Sequence, residues 1–122
     1  MGYNKGTMSE LTPIIARIRQ FNEDRDWRQF HNPKDMALSL VLEAAEVMEH
    51  FQWKNGAELT EYTKNNKEAI GEELADVFYW VLHMSDEFGI DIMAALEDKM
   101  DKNEAKYPVE KARGNNAKYT DL

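Results

Sequence analysis

Residues 71–84 read GEELADVFYWVLHM. The apolar positions recur at helical spacing and extend on both sides, predicting a helix from about Lys67 to Phe88 with Gly89 as its C′ residue. Glu73 stands on the row Ile70, Glu73, Val77, within the stripe that the helix should bury. Asp76 lies three residues on, so both carboxylates share one face. A buried, unpaired carboxylate costs several kcal/mol, so something must offset it.

The preceding helix repeats the anomaly. SLVLEAAEVMEHFQW (39–53) places Glu43 on the row Met36, Leu40, Glu43, Val47, with Glu46 three residues later. Asn32-Pro33 signals the start of this helix, and Lys54-Asn55-Gly56 signals its end. One such acid pair is ordinarily a solvated face. Two pairs, each interrupting an apolar stripe on neighbouring long helices, point to convergence in a core. Four converging carboxylates raise one another's pKa unless a cation compensates. All-oxygen ligands favour Mg²⁺, Mn²⁺ or Ca²⁺ over zinc or copper. Mg²⁺ bound by a few carboxylates commonly also binds substrate phosphates, which implies metal-assisted attack on a phosphate ester or anhydride.

Rival chemistries lack their residues. Arg28, Val47 and Trp80 stand three residues before His31, His50 and His83, so no Glu-x-x-His pair of a di-iron bundle exists. The chain holds no EF-hand loop, Gly-rich phosphate loop or G-x-S-x-G elbow. Its cysteine count of zero removes disulfides and thiolate sites and fits a reducing cytoplasm. The net charge of −8 argues against binding a nucleic-acid polymer through bulk positive charge. No apolar run reaches the roughly 20 residues of a membrane span, and MGYNKGTMSE lacks a signal-peptide core. We read a soluble, cytoplasmic protein.

The rest of the chain is helical in pattern. A first helix is expected at Thr12-Pro13, with Thr12 as N-cap and Leu11, Ile14, Ile15, Ile18 and Phe21 on one face. NEDRDWRQFHN (22–32) loses the period and reads as a loop carrying Trp27, Phe30 and His31. Residues 57–66 are polar, with room for a short helical turn. Asp91 should cap a last helix bearing Ile92, Leu96 and Met100 and stopping near Pro108. Residues 1–10 read as disordered and 109–122 as a polar tail. Without a convincing strand, the fold class is all-α: a four-helix bundle forming one domain over 1–122. Its outer helices are modest covers for two apolar ones, which favours an obligate oligomer. Phe51, Val77, Phe78 and Met84 read as core, and His50 and His83 as structural or surface residues. Trp27 and Trp53, beside helix ends among polar residues, could sandwich a base; a lid over the core or a subunit contact is the alternative.

These residues carry a family resemblance. RDWRQFHNP (25–33), EAAEVMEHFQWK (43–54), EELADV (72–77), KMDKNEAKYP (99–108) and ARGNNAKYTDL (112–122) resemble the MazG-like nucleoside triphosphate pyrophosphatases, above all the dCTP pyrophosphatase branch. The resemblance implies cleavage between the α and β phosphates to a monophosphate and pyrophosphate. It also implies Mg²⁺, with Mn²⁺ as the alternative ion, in a homodimer or homotetramer. By the same resemblance Glu43, Glu46, Glu73 and Asp76 are metal ligands and catalytic residues. Lys99 and Asn103, with Lys106 and Tyr107 nearby, match phosphate and sugar contacts. Trp27, His31, Trp53 and Trp80 match, or fall close to, the base and sugar pocket. Arg113, Lys118 and Tyr119 lie in a segment that resembles a closure over the phosphates. Two positions depart from the pattern: Leu42 replaces an acid before Glu43, and Trp80 stands where the branch more often has Tyr.

The expected substrate is therefore a nucleotide, dCTP or a modified dCTP first. The attacking water would need a carboxylate base, from the four acids or Glu72. The cations Lys99, Lys106, Arg113 and Lys118 would hold pyrophosphate; each, taken alone, also fits a surface charge. The alternatives are the same chemistry on another nucleotide such as dUTP, or a non-catalytic helical module with a structural Mg²⁺.

Overall fold

The computed structural model describes residues 10–122. Six α-helices follow one another: α1 Thr12–Asp24, α2 Pro33–Glu49, α3 Gly56–Asn65, α4 Lys67–Glu87, α5 Ile92–Lys106 and α6 Val109–Ala112, with 3₁₀ turns at Arg28–Phe30 and Tyr119–Asp121. Among the described residues there is no strand, and no helix is long and apolar enough to cross a membrane. The expectation of disorder at 1–10 concerns residues that, apart from Glu10, lie outside those described.

The helix boundaries follow local chemistry. Asn32 caps α2, its side chain accepting from the Asp35 N–H at 2.9 Å, and Asp91 caps α5 by accepting from Ala94 at 3.0 Å. α4 ends in a Schellman motif. Gly89, at φ +69°, donates to the Asp86 carbonyl, and Ile90 donates to that of Ser85. α1 departs from expectation at its start: Leu11 is the N-cap, one residue before Thr12. Its own carbonyl takes the Ile15 N–H at 2.9 Å.

Two helices exceed the four expected. α3 forms in the polar stretch because Tyr62 gives it an anchor. The Tyr62 ring lies edge-on to Phe51, its hydroxyl meets His50 Nδ1 at 2.6 Å, and the Lys54 ammonium lies 4.1 Å from its centroid. α6 is a single turn after Pro108, a residue suited to starting a helix but not to continuing one.

α4 is the hub. α2 packs along it most extensively, and α1 and α3 also lie against it, whereas α5 makes no comparable contact. Two arginine forks tie outer elements to the end of α4: Arg19 to Asp86 (2.6 and 3.0 Å) and Arg28 to Glu87 (2.8 and 3.2 Å). Only Ile18, Met36 and Leu82 are buried apolar side chains among the described residues. Phe78, expected in the core, is 48% exposed, and Leu42 on α2 is 65% exposed. Leu38, Val41, Met48, Leu74, Leu96 and Met100 are also exposed, so α2, α4 and α5 all present apolar surface.

Candidate active site

The α2–α4 pairing brings the two acid pairs together. Glu43, Glu46, Glu73 and Asp76 each offer a carboxylate oxygen, and these oxygens all lie within 4.8 Å of one another. Three-residue spacing stacks each pair on one helix face, and packing turns the two faces toward each other. Glu43 and Glu73 are half-buried; Glu46 and Asp76 are exposed. No Lys or Arg forms an ion pair with any of the four among the described residues.

The cluster carries an electrostatic debt. Glu43 is pushed up from an ordinary 4.5 to about 7, first by burial, then by its hydrogen bond with Glu46 and by the charges of Glu46, Asp76 and Glu73. The Glu73 carboxyl is also raised, chiefly through its hydrogen bond with Glu46 and by burial, while His50 acts the other way. One oxygen of each half-buried acid, Glu43 Oε2 and Glu73 Oε2, is sealed from solvent without a hydrogen-bond partner. Sealed acceptor oxygens in a negative cluster fit a hard divalent cation. The donor set therefore suits a metal of the Mg²⁺ or Mn²⁺ kind.

A cavity of about 510 Å³ adjoins the acids. Its wall includes Trp27, Phe30, His31, Tyr79 and Trp80 together with Glu43 and Asp76. Trp27 is positioned by a tight reversal: Asp26 has φ +53°, which an Asp tolerates better than most residues. Trp27 then sets its ring edge against Phe21 at 5.5 Å, while Arg28 pins the turn to α4. Trp80 stands edge-on to His31 at 5.3 Å and to Tyr79 at 5.1 Å. The Tyr79 hydroxyl donates to Asn22 Oδ1 at 3.0 Å, and the fully buried Asn22 donates to the Ile18 carbonyl. A second cavity, of about 340 Å³ beside Ile15, Arg19 and Ile92, lies at the α1–α5 side and contains none of the expected site residues.

The expected residues thus divide. Trp27, His31 and Trp80 line the cavity with two of the acids. Trp53 does not: it is 82% exposed beyond the end of α2 and has no ring partner among the described residues. Lys99, Asn103, Lys106, Tyr107, Arg113, Lys118 and Tyr119 lie on α5 and in the segment that follows it, and none of them lines the cavity. Tyr107 meets Tyr119 edge-on at 6.1 Å, and the Lys106 ammonium lies 4.9 Å from the Tyr119 centroid. Among the described residues no hydrogen bond, ion pair or ring contact joins that region to the acids.

Sequence reading passed over Asp35, Ser39 and Tyr79 in the cavity wall and His83 behind it. The helical position of Tyr79 beside Trp80 was a usable signal. His83 offered none, since its partner lies 52 residues away.

This arrangement of helices and acids belongs to a recognised class. The MazG-like family model matches residues 38–122, and the chain belongs to the MazG-like family. Its relatives include the dCTP pyrophosphatase 1 of Rattus norvegicus, 42% identical over 90% of this chain and 68% of the relative. That of Homo sapiens is 37% identical over the same shares. Among solved structures, a pyrophosphatase from Archaeoglobus fulgidus superposes with a TM-score of 0.78 at 35% identity. That match covers 84% of this chain and 95% of the other.

Proposed function

We propose that this chain hydrolyses a nucleoside triphosphate between its α and β phosphates, releasing the monophosphate and pyrophosphate, with dCTP or a modified dCTP as preferred substrate. The chain is an enzyme of the nucleoside triphosphate diphosphatase type, as its family and its dCTP pyrophosphatase relatives require. One observation supports the substrate reading above others: aromatic rings and metal-suited carboxylates share the wall of one cavity. A nucleoside seated against Trp27 and Trp80 would direct its phosphates toward Glu43 and Asp76. Such rings offer a stacking or edge contact to a base.

Glu43, Glu46, Glu73 and Asp76 would hold Mg²⁺, or Mn²⁺ in its place. When bound, the ion supplies charge neutralisation and Lewis-acid polarisation at the phosphates. The α2–α4 contact holds the four carboxylates in register, and the Arg28–Glu87 fork fixes the aromatic turn over them. The aromatic wall would cover a face of the base, leaving the acidic end for the attacking water.

The unit we infer is the whole chain as one domain, working as a homo-oligomer. The exposed apolar faces of α2, α4 and α5 support association with a second copy. Such a copy would also complete the bundle that α5 does not close within one chain. Trp53 and the cations Lys99, Lys106, Arg113 and Lys118 would then reach a site across the interface, with Asn103, Tyr107 and Tyr119 beside them.

The test is a product assay on a panel of nucleoside triphosphates, with Mg²⁺, with Mn²⁺ and with chelator. Chromatography separates monophosphate plus pyrophosphate from diphosphate plus phosphate. Metal-dependent monophosphate, fastest from dCTP or a 5-substituted relative, is expected. The same products fastest from dUTP would keep the reaction and replace the base. Metal binding without turnover of any nucleotide would refute the proposal in favour of a binding module.

A further inference from the structure

His83 is a polar side chain buried to 1% exposure on the hub helix. Its Nε2 lies 2.8 Å from Nδ1 of His31, which lines the aromatic cavity. Its other nitrogen, Nδ1, is sealed from solvent and has no hydrogen-bond partner. One nitrogen of the close pair must donate and the other accept.

The two assignments are unequal. If His31 donated from Nδ1, His83 Nε2 would accept, and the His83 proton would sit on Nδ1. That leaves a buried N–H donor with nothing to receive it, a rare and costly state. If His83 donates from Nε2, its Nδ1 carries only an unpaired acceptor. Both rings then adopt the Nε2–H form, the intrinsically favoured tautomer of a neutral imidazole. Burial and the neighbouring His31 also hold His83 toward the neutral form, against the opposing influence of Glu87 and Asp86.

We propose that His83 is a positioning residue that sets the tautomer of His31, so that His31 presents an Nε2–H donor to the nucleoside in the cavity. His31 Nε2 has no partner among the described residues and belongs to the open side of the ring. A fixed donor there selects an acceptor on the ligand, a ring nitrogen or carbonyl oxygen of a base. Trp80 packs edge-on against the same His31 ring at 5.3 Å. The identity of the ligand rests on the nucleotide reading above; the tautomer does not.

The experiment has two arms. Long-range ¹H–¹⁵N correlation on the free full-length protein reads the ring nitrogens directly. Protonated Nε2 and unprotonated Nδ1 on His31 are expected; protonated Nδ1 would overturn the proposal. This arm needs no variant and no turnover, so it stands apart from any failure of the proposed reaction. The second arm measures kinetics on the best nucleotide of the panel. His83→Leu removes the donor at similar bulk and should raise KM about threefold to tenfold with kcat little changed. His83→Gln places an amide Nε2–H the same number of bonds from the backbone and should restore the wild-type KM. An unchanged KM in His83→Leu, or an equal loss in both variants, would reduce His83 to packing and defeat the proposal.

Discussion

Glu43→Gln should raise stability and abolish activity together. A carboxyl moved from an ordinary 4.5 to about 7 is opposed by about 3.4 kcal/mol of differential interaction, at about 1.36 kcal/mol per pH unit. Glu43 is only half-buried, so solvent screening reduces this to about 1–2 kcal/mol. The sign follows from proton linkage. Between pH 4.5 and about 7 the folded protein holds the Glu43 proton more tightly than the unfolded chain does. Metal-free wild type therefore loses stability as pH rises through that window and stays weakened above it. Glutamine keeps the shape and removes the charge. For a chain of this size about 1–2 kcal/mol corresponds to roughly 4–10 °C in Tm. In chelator at pH 8 the variant should melt higher than wild type by that amount, and at pH 5, where Glu43 is already protonated, the gap should close. Adding Mg²⁺ at pH 8 should raise the wild-type Tm and leave the variant nearly unmoved, with metal-dependent turnover nearly lost. The assay is paired thermal melts at both pH values, with turnover measured in parallel. A variant that melts no higher than wild type in chelator at pH 8, or that keeps its turnover, would refute the reasoning.

Two further outcomes follow from the packing. Met36 on α2, 1% exposed, should cost about 2–5 kcal/mol when cut to Ala; denaturant unfolding checks this, and a loss below about 1 kcal/mol would mean the site collapses freely. On the proposed self-association through the exposed apolar face of α2, Leu42→Glu should lower the sedimenting mass without changing helix content; an unchanged mass would refute that interface.

The helical part of the fold was legible because its signals are local. The rows Met36–Leu40–Val47 and Ile70–Val77 report a period, and Asn32, Asp91 and Gly89 mark ends through their own backbones. α3 was nearly invisible because its anchor, Tyr62, acts through residues of the preceding helix and turn. Phe78 was misread as core for a related reason: periodicity finds an apolar face but not what covers it.

The candidate site divides along the same line. Sequence alone determined that Glu43 with Glu46, and Glu73 with Asp76, share helix faces, since a three-residue spacing on an α-helix allows little else. It also set the family, through short motifs spread along the chain. Only the tertiary structure decided that the two pairs meet within 4.8 Å, that two of their oxygens are sealed and unpartnered, and that His83 lies behind His31. Those facts depend on how α4 packs against α2 and how the 28–30 turn is pinned to its end. A rotation of one helix by a single residue, about 100°, would leave the sequence pattern intact and scatter the site.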